Sequence, residues 1–97
     1  MTSAEKLQVL KQDLQQMTTA NDILLTNLLE LAAQAIKEEG IILVDGNIQH
    51  DMIQIQYAAF LFKKRFADSG ETGIPRYLRW QMNNLLFSQK GDADSDV

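Results

Sequence analysis

Residues Asp51 to Phe66 read DMIQIQYAAFLFKKRF, and the fold turns on this stretch. No polar residue interrupts Tyr57 to Phe62, and the basic cluster Lys63-Lys64-Arg65 follows at once. As a helix it would span about 24 Å, the width of a small domain. Met52, Ile53, Ile55, Ala58, Ala59, Phe60, Phe62 and Phe66 then cover most of the circumference. A helix apolar nearly all round is a central one, or one shared between a core and a neighbouring subunit. Ala58-Ala59 would admit another helix closely, and the basic cluster in the last turn complements the helix dipole.

Upstream, Thr2-x-x-Glu5 is a capping-box pattern, and Leu7, Leu10, Leu14 and Met17 form one apolar stripe. The remaining face is Lys6, Lys11, Gln12, Asp13, Gln15 and Gln16, so the helix is expected to be peripheral. Thr18 to Asn21 is a break, with Thr19 and Asn21 as candidate N-caps. A second helix is expected from about Asp22 to Glu39, with Leu24, Leu25, Leu28, Leu29, Leu31, Ala32, Ala35 and Ile36 on its apolar face. Gly40 suits its C-terminal stop. The segment Gly40 to Asn47, GIILVDGN, favours extended backbone but has no second strand to pair with, so it reads as an extended loop. Asn47 or His50 is expected to cap the central helix, and His50 reads as a cap or surface residue.

Downstream of Phe66, ADSGETG is a polar loop, and Ile74-Pro75 opens the last helix with proline in the first helical position. Ile74, Leu78, Met82, Leu85 and Leu86 share a face, with Tyr77, Trp80 and Phe87 near its edges. The acidic end GDADSDV cannot bury a core and is expected to be disordered in the isolated protein. The expectation is therefore an all-α fold: a small bundle of about four helices, with an extended loop between helices two and three. Residues 1–90 form the domain and 91–97 the tail. Its core is expected from Leu28, Ala32, Ile36, Ile55, Tyr57, Ala59, Phe62, Leu78, Met82 and Leu85.

The chain has 97 residues, enough for one domain with a modest core. It is 45% hydrophobic and 23% charged, within the ordinary globular range. With no cysteine and one histidine, thiolate metal sites, disulfides and nucleophile–base sets are excluded. Glu38 and Glu39 are adjacent, so on a helix they point apart. No glycine-rich phosphate loop occurs, and the expectation is a non-enzyme without cofactors or metals. The first residues, MTSAEKLQ, lack a signal-peptide pattern, and no apolar run approaches the roughly 18 residues of a membrane span. No membrane association is expected, and the default compartment is cytoplasmic.

Charge is uneven. The net charge is −4, yet residues 1–50 carry three lysines against seven acidic residues. Residues 63–90 carry six basic residues against Asp68 and Glu71. Such polarity suits a protein that meets copies of itself or a partner of opposite sign, although chance clustering on a solvated surface gives the same count. Lys63, Lys64, Arg65, Arg76 and Arg79 would form one basic patch if the last two helices pack antiparallel. Gln81, Asn83 and Asn84 could then reach base edges, but the acidic whole opposes nucleic-acid binding.

Two stretches together match a known pattern. Tyr57 to Arg65 reads YAAFLFKKR, and Ile74 to Lys90 reads IPRYLRWQMNNLLFSQK. They resemble the head–tail connector (adaptor) proteins of long-tailed bacteriophages and prophages. That family carries a YAAYLYRKR-like helix and a PRxLRxxLNNxLFSxK-like C-terminal helix. The likeness covers roughly residues 20–90 and is most specific in the last helix; residues 1–18 fit the family less well. It implies a structural protein of the virion's head–tail interface, assembled in the host cytoplasm. Its copies would form a ring, dodecameric in the virion, beneath the portal protein. The ring would extend the DNA channel and receive a stopper or tail-completion protein, with the genome passing through unread. On that resemblance Lys63, Lys64, Arg65, Arg76, Arg79, Asn83, Asn84, Phe87, Ser88 and Lys90 are candidate subunit- or portal-contact residues, with Asn83-Asn84 either bonding across a subunit boundary or locking the local packing. The alternative is a small helical DNA-binding or regulatory protein.

Overall fold

A computed structural model describes residues 1–16, 19–44, 46–64 and 73–95, with side chains up to residue 89. It contains four helices among these residues and no strand: α1 Ser3–Asp13, α2 Asp22–Glu38, α3 Ile48–Lys64 and α4 Arg76–Ser95. The all-α bundle expected from the sequence is the fold. α3 is the central element: α2 packs along it most extensively, α1 lies across both, and α4 packs on α3. Residues 65–72, including Arg65 and Phe66 of the central stretch and the expected polar loop, lie outside the described residues, as do Met17, Thr18 and Asp45.

Each helix starts and stops for local reasons. The Thr2–Glu5 capping box forms: the Thr2 hydroxyl accepts from the Glu5 N–H at 3.2 Å, and Glu5 accepts from the Thr2 N–H at 3.0 Å. The Thr2 backbone and hydroxyl hold the Glu5 carboxyl below its ordinary pKa. Asn21 occupies the N-cap position of α2, but its side chain makes no cap bond and donates instead to Gln16 at 3.1 Å. For α3, Asn47 is the cap, its Oδ1 accepting from the His50 N–H at 3.2 Å. The Pro75 carbonyl accepts from the Arg79 N–H at 3.0 Å, so proline sits one position ahead of the helix rather than inside its first turn.

α1 and α2 end in the same turn with different residues. After α2, Gly40 has φ +93°, its N–H bonds to Lys37 O at 2.9 Å, and the N–H of buried Ile41 reaches Ile36 O at 3.4 Å. After α1, Gln15 takes the corresponding left-handed place at φ 58°, with Gln16 N bonded to Lys11 O at 2.8 Å. Glycine adopts that conformation without strain, whereas a side chain costs on the order of 1 kcal/mol.

Of the expected core, Leu28, Ala32, Ile36, Ile55, Tyr57, Ala59, Phe62, Leu78 and Met82 are buried. Leu85 is partly buried against the same cluster, so it is a rim residue rather than a core one. Leu31, expected on the apolar face of α2, is exposed, because it lies across the helix from Leu25 and Ala32.

One further expectation needs correction. α1 is not peripheral: Leu10 is fully buried, and Lys6 and Lys11 tie the helix to its neighbours. The polar residues that do this read as a solvated face because their partners are distant in sequence. The backbone of α4 runs through Ser95, and residues 96 and 97 of the expected tail lie outside the described residues.

Candidate functional site

The N-terminal half of α3 buries polar groups that the sequence does not announce. His50, Asp51 and Gln54 are all buried. Asp51 accepts from the Met1 ammonium at 2.8 Å and lies 3.5 Å from Lys6 Nζ. Burial pushes the Asp51 carboxyl up, but the ammonium and Lys6 outweigh it and hold its pKa below the ordinary aspartate value. Gln54 accepts from Lys6 at 2.9 Å and donates to Leu29 O at 2.9 Å, so one carboxamide joins α1, α2 and α3. Asp51 and Gln54 are both used by Lys6, so their role is to fix α1 rather than to meet a ligand.

The extended loop is held by side chains in place of a partner strand. His50 Nδ1 accepts from the Val44 N–H at 2.9 Å, which corrects its reading as a cap or surface residue. Gln89 of α4 pairs with both backbone groups of Ile42, accepting from its N–H at 2.9 Å and donating to its carbonyl at 2.7 Å. A backbone that cannot find a ladder still needs its hydrogen bonds, and a carboxamide supplies both halves.

That clamp also orients α4. Gln89 lies by the loop that precedes α3, while Pro75 and Tyr77 lie by Ala59, Phe60, Lys63 and Lys64 at the end of α3. The two helices are therefore antiparallel. Between them runs a groove of about 470 Å³, with Phe60 and Lys64 on one wall and Tyr77 on the other. Tyr57 and Phe60 meet edge to face with centroids 5.9 Å apart, and Lys64 Nζ lies 6.0 Å from the Phe60 ring. Arg79 reaches Glu39 at the end of α2, 3.4 Å away. Burial raises the Tyr57 hydroxyl pKa, with Glu39 adding to the shift and Arg79 opposing it.

The inner side of α4 is apolar: Leu78 and Met82 are buried, with Leu85 and Leu86 partly so. Its outer side carries Trp80 and Phe87 as exposed large side chains, with Asn83, Asn84 and Ser88 exposed among them, while exposed Tyr77 faces the groove. The aromatics were expected near the edges of the buried face. Trp80 and Phe87 instead lie directly opposite it, a placement already legible in the helical period relative to Leu78 and Met82.

The candidate contact residues thus divide. Lys63 and Lys64 are exposed and line the groove, Arg76 is exposed at the start of α4, Asn83, Asn84, Phe87 and Ser88 are exposed on α4, and Arg79 is tied to Glu39. Arg65 lies outside the described residues, as does the side chain of Lys90. Among the described residues no acidic or histidine group could hold a metal ion, and no helix is long and apolar enough to cross a membrane. No family model, curated relative or solved structure matches the chain.

Proposed function

We propose that the chain is a subunit of a phage head–tail connector, a ring-forming adaptor between portal and tail. The observation that carries this reading is the pairing of its two motif stretches. YAAFLFKKR and IPRYLRWQMNNLLFSQK resemble one family's pattern, and in the fold they form the antiparallel α3–α4 pair around one groove. The outer side of α4 supports it further. Trp80 and Phe87 face water on one side of one helix, and aromatic residues concentrate at subunit interfaces. In this reading Lys63, Lys64 and Arg76 supply charge complementarity at the junction, and the channel passes DNA without reading it.

The test is size in solution, with and without portal rings from the same phage genome. Co-sedimentation of the protein with portal as a closed ring is the expected outcome. A protein that stays monomeric with portal present overturns the reading. The exposed basic residues Lys63, Lys64 and Arg76 also favour the DNA-binding alternative. Retention of duplex DNA at physiological salt, with loss of binding when these three are replaced by alanine, would move the assignment there.

A further inference from the structure

Two helix faces of the monomer are unpartnered, and they match. On α4, the side opposite Leu78 and Met82 carries Trp80, Asn84 and Phe87, with Trp80 67% and Phe87 68% exposed. On α2, the side opposite Leu25 and Ala32 carries Ile23, Asn27 and Leu31, with Ile23 81% and Leu31 53% exposed. Each row reads apolar, asparagine, apolar, and each covers about 10–12 Å of helix. Both rows point away from a shared core, so they cannot meet within one copy.

We propose that the α4 row of one copy docks antiparallel on the α2 row of the next. Trp80 then lies on Leu31, Asn84 beside Asn27, and Phe87 on Ile23. Spacing sets this register, since both rows step four residues to the asparagine and three or four beyond it. Two facing carboxamides can satisfy each other, whereas a slipped register would bury them unpaired.

Charge sets the direction. Antiparallel docking brings exposed Arg76 to the end of α2 that carries exposed Glu38. It also sets the positive pole of α4 against the negative pole of α2. The other end of α2 offers Asp22, which Lys11 already holds at 2.9 Å.

A contact between two different faces repeats from copy to copy and closes into a ring when the rotation allows. The inference rests on the ring reading above and names the surfaces that make the ring. One helix on one helix is a small interface, so an isolated pair is weak and closure or a portal template is what makes it persist.

The chain has no cysteine, so single introduced thiols report contacts without background. Asn27→Cys and Asn84→Cys proteins are mixed, assembled alone at high concentration or on portal rings, and oxidised. The mixed disulfide should dominate over both homodimers. In parallel, Trp80→Ala with Phe87→Ala should weaken self-association about tenfold or more while the melting temperature holds. Dominance of the Asn84→Cys homodimer would show α4 pairing with α4 and overturn the proposal. Oligomers that yield no mixed disulfide would overturn it while leaving the ring reading in place. Failure to form any oligomer, even with portal, would overturn both.

Discussion

The three-helix unit α1–α3 and the single helix α4 are held to the protein by different means. α1, α2 and α3 share a core of fully buried side chains, among them Leu10, Leu25, Ile36 and Ile53, and are cross-tied by Lys6, Asp51 and Gln54. α4 contributes Leu78 and Met82 to that core, a two-bond clamp at Ile42 and an exposed ion pair at Glu39. Its opposite side is aromatic and open. A helix with this little inside and this much outside is well suited to respond to a neighbour, because local stability follows buried contact. The first region makes the fold, and the second presents it.

The largest expected effect separates the two. Leu25→Ala and Leu78→Ala each remove a fully buried leucine and should each cost about 2–5 kcal/mol. If α4 is the less anchored region, Leu25→Ala lowers the global melting temperature, whereas Leu78→Ala first speeds hydrogen exchange in residues 76–89. Equal exchange across all four helices in the Leu78→Ala protein would erase the distinction.

Next comes the polar tie on α1. Asp51→Asn loses charge-assisted bonds to the Met1 ammonium and Lys6, at a cost of about 2 kcal/mol. The pH dependence has a definite sign. The folded Asp51 pKa is depressed, so its contribution is complete above about pH 4 and is lost as pH falls through the folded value. Unfolding measured across the acid range should show this decline in the parent and a shallower one in Asp51→Asn. Parallel curves would place the acid sensitivity elsewhere.

A smaller effect is expected at the clamp. Gln89→Ala removes two partly solvated hydrogen bonds and should cost about 1 kcal/mol. Its signature is faster exchange of the Ile42 amide while the Gln54 region keeps its protection. The smallest effect belongs to the outer face: Trp80→Ala and Phe87→Ala should each change monomer stability by no more than about 0.5 kcal/mol. A substantial loss at either would mean that the aromatic row packs inward and is not a surface for a partner.

Four helices, the glycine stop at Gly40, the unpaired extended loop and most of the core were legible in the sequence, because each depends on local pattern. Apolar periodicity says which residues share a face, and capping residues say where backbone groups need partners. The exposed aromatic row of α4 was equally legible in period, since Trp80 and Phe87 fall opposite Leu78 and Met82, but pattern alone does not tell a bulky edge from a bulky outer face. Tertiary structure decided the rest. Asp51 and Lys6 are 45 positions apart, and Ile42 and Gln89 are 47 apart, so no window of sequence joins them. His50 reads as a surface or cap residue from its local sequence; the approach of Val44 gives its buried ring a part-buried bond. A polar side chain advertises that it can bond, and the sequence fixes that capacity. Which distant group arrives to use it, and whether water is excluded when it does, is settled only when the helices meet.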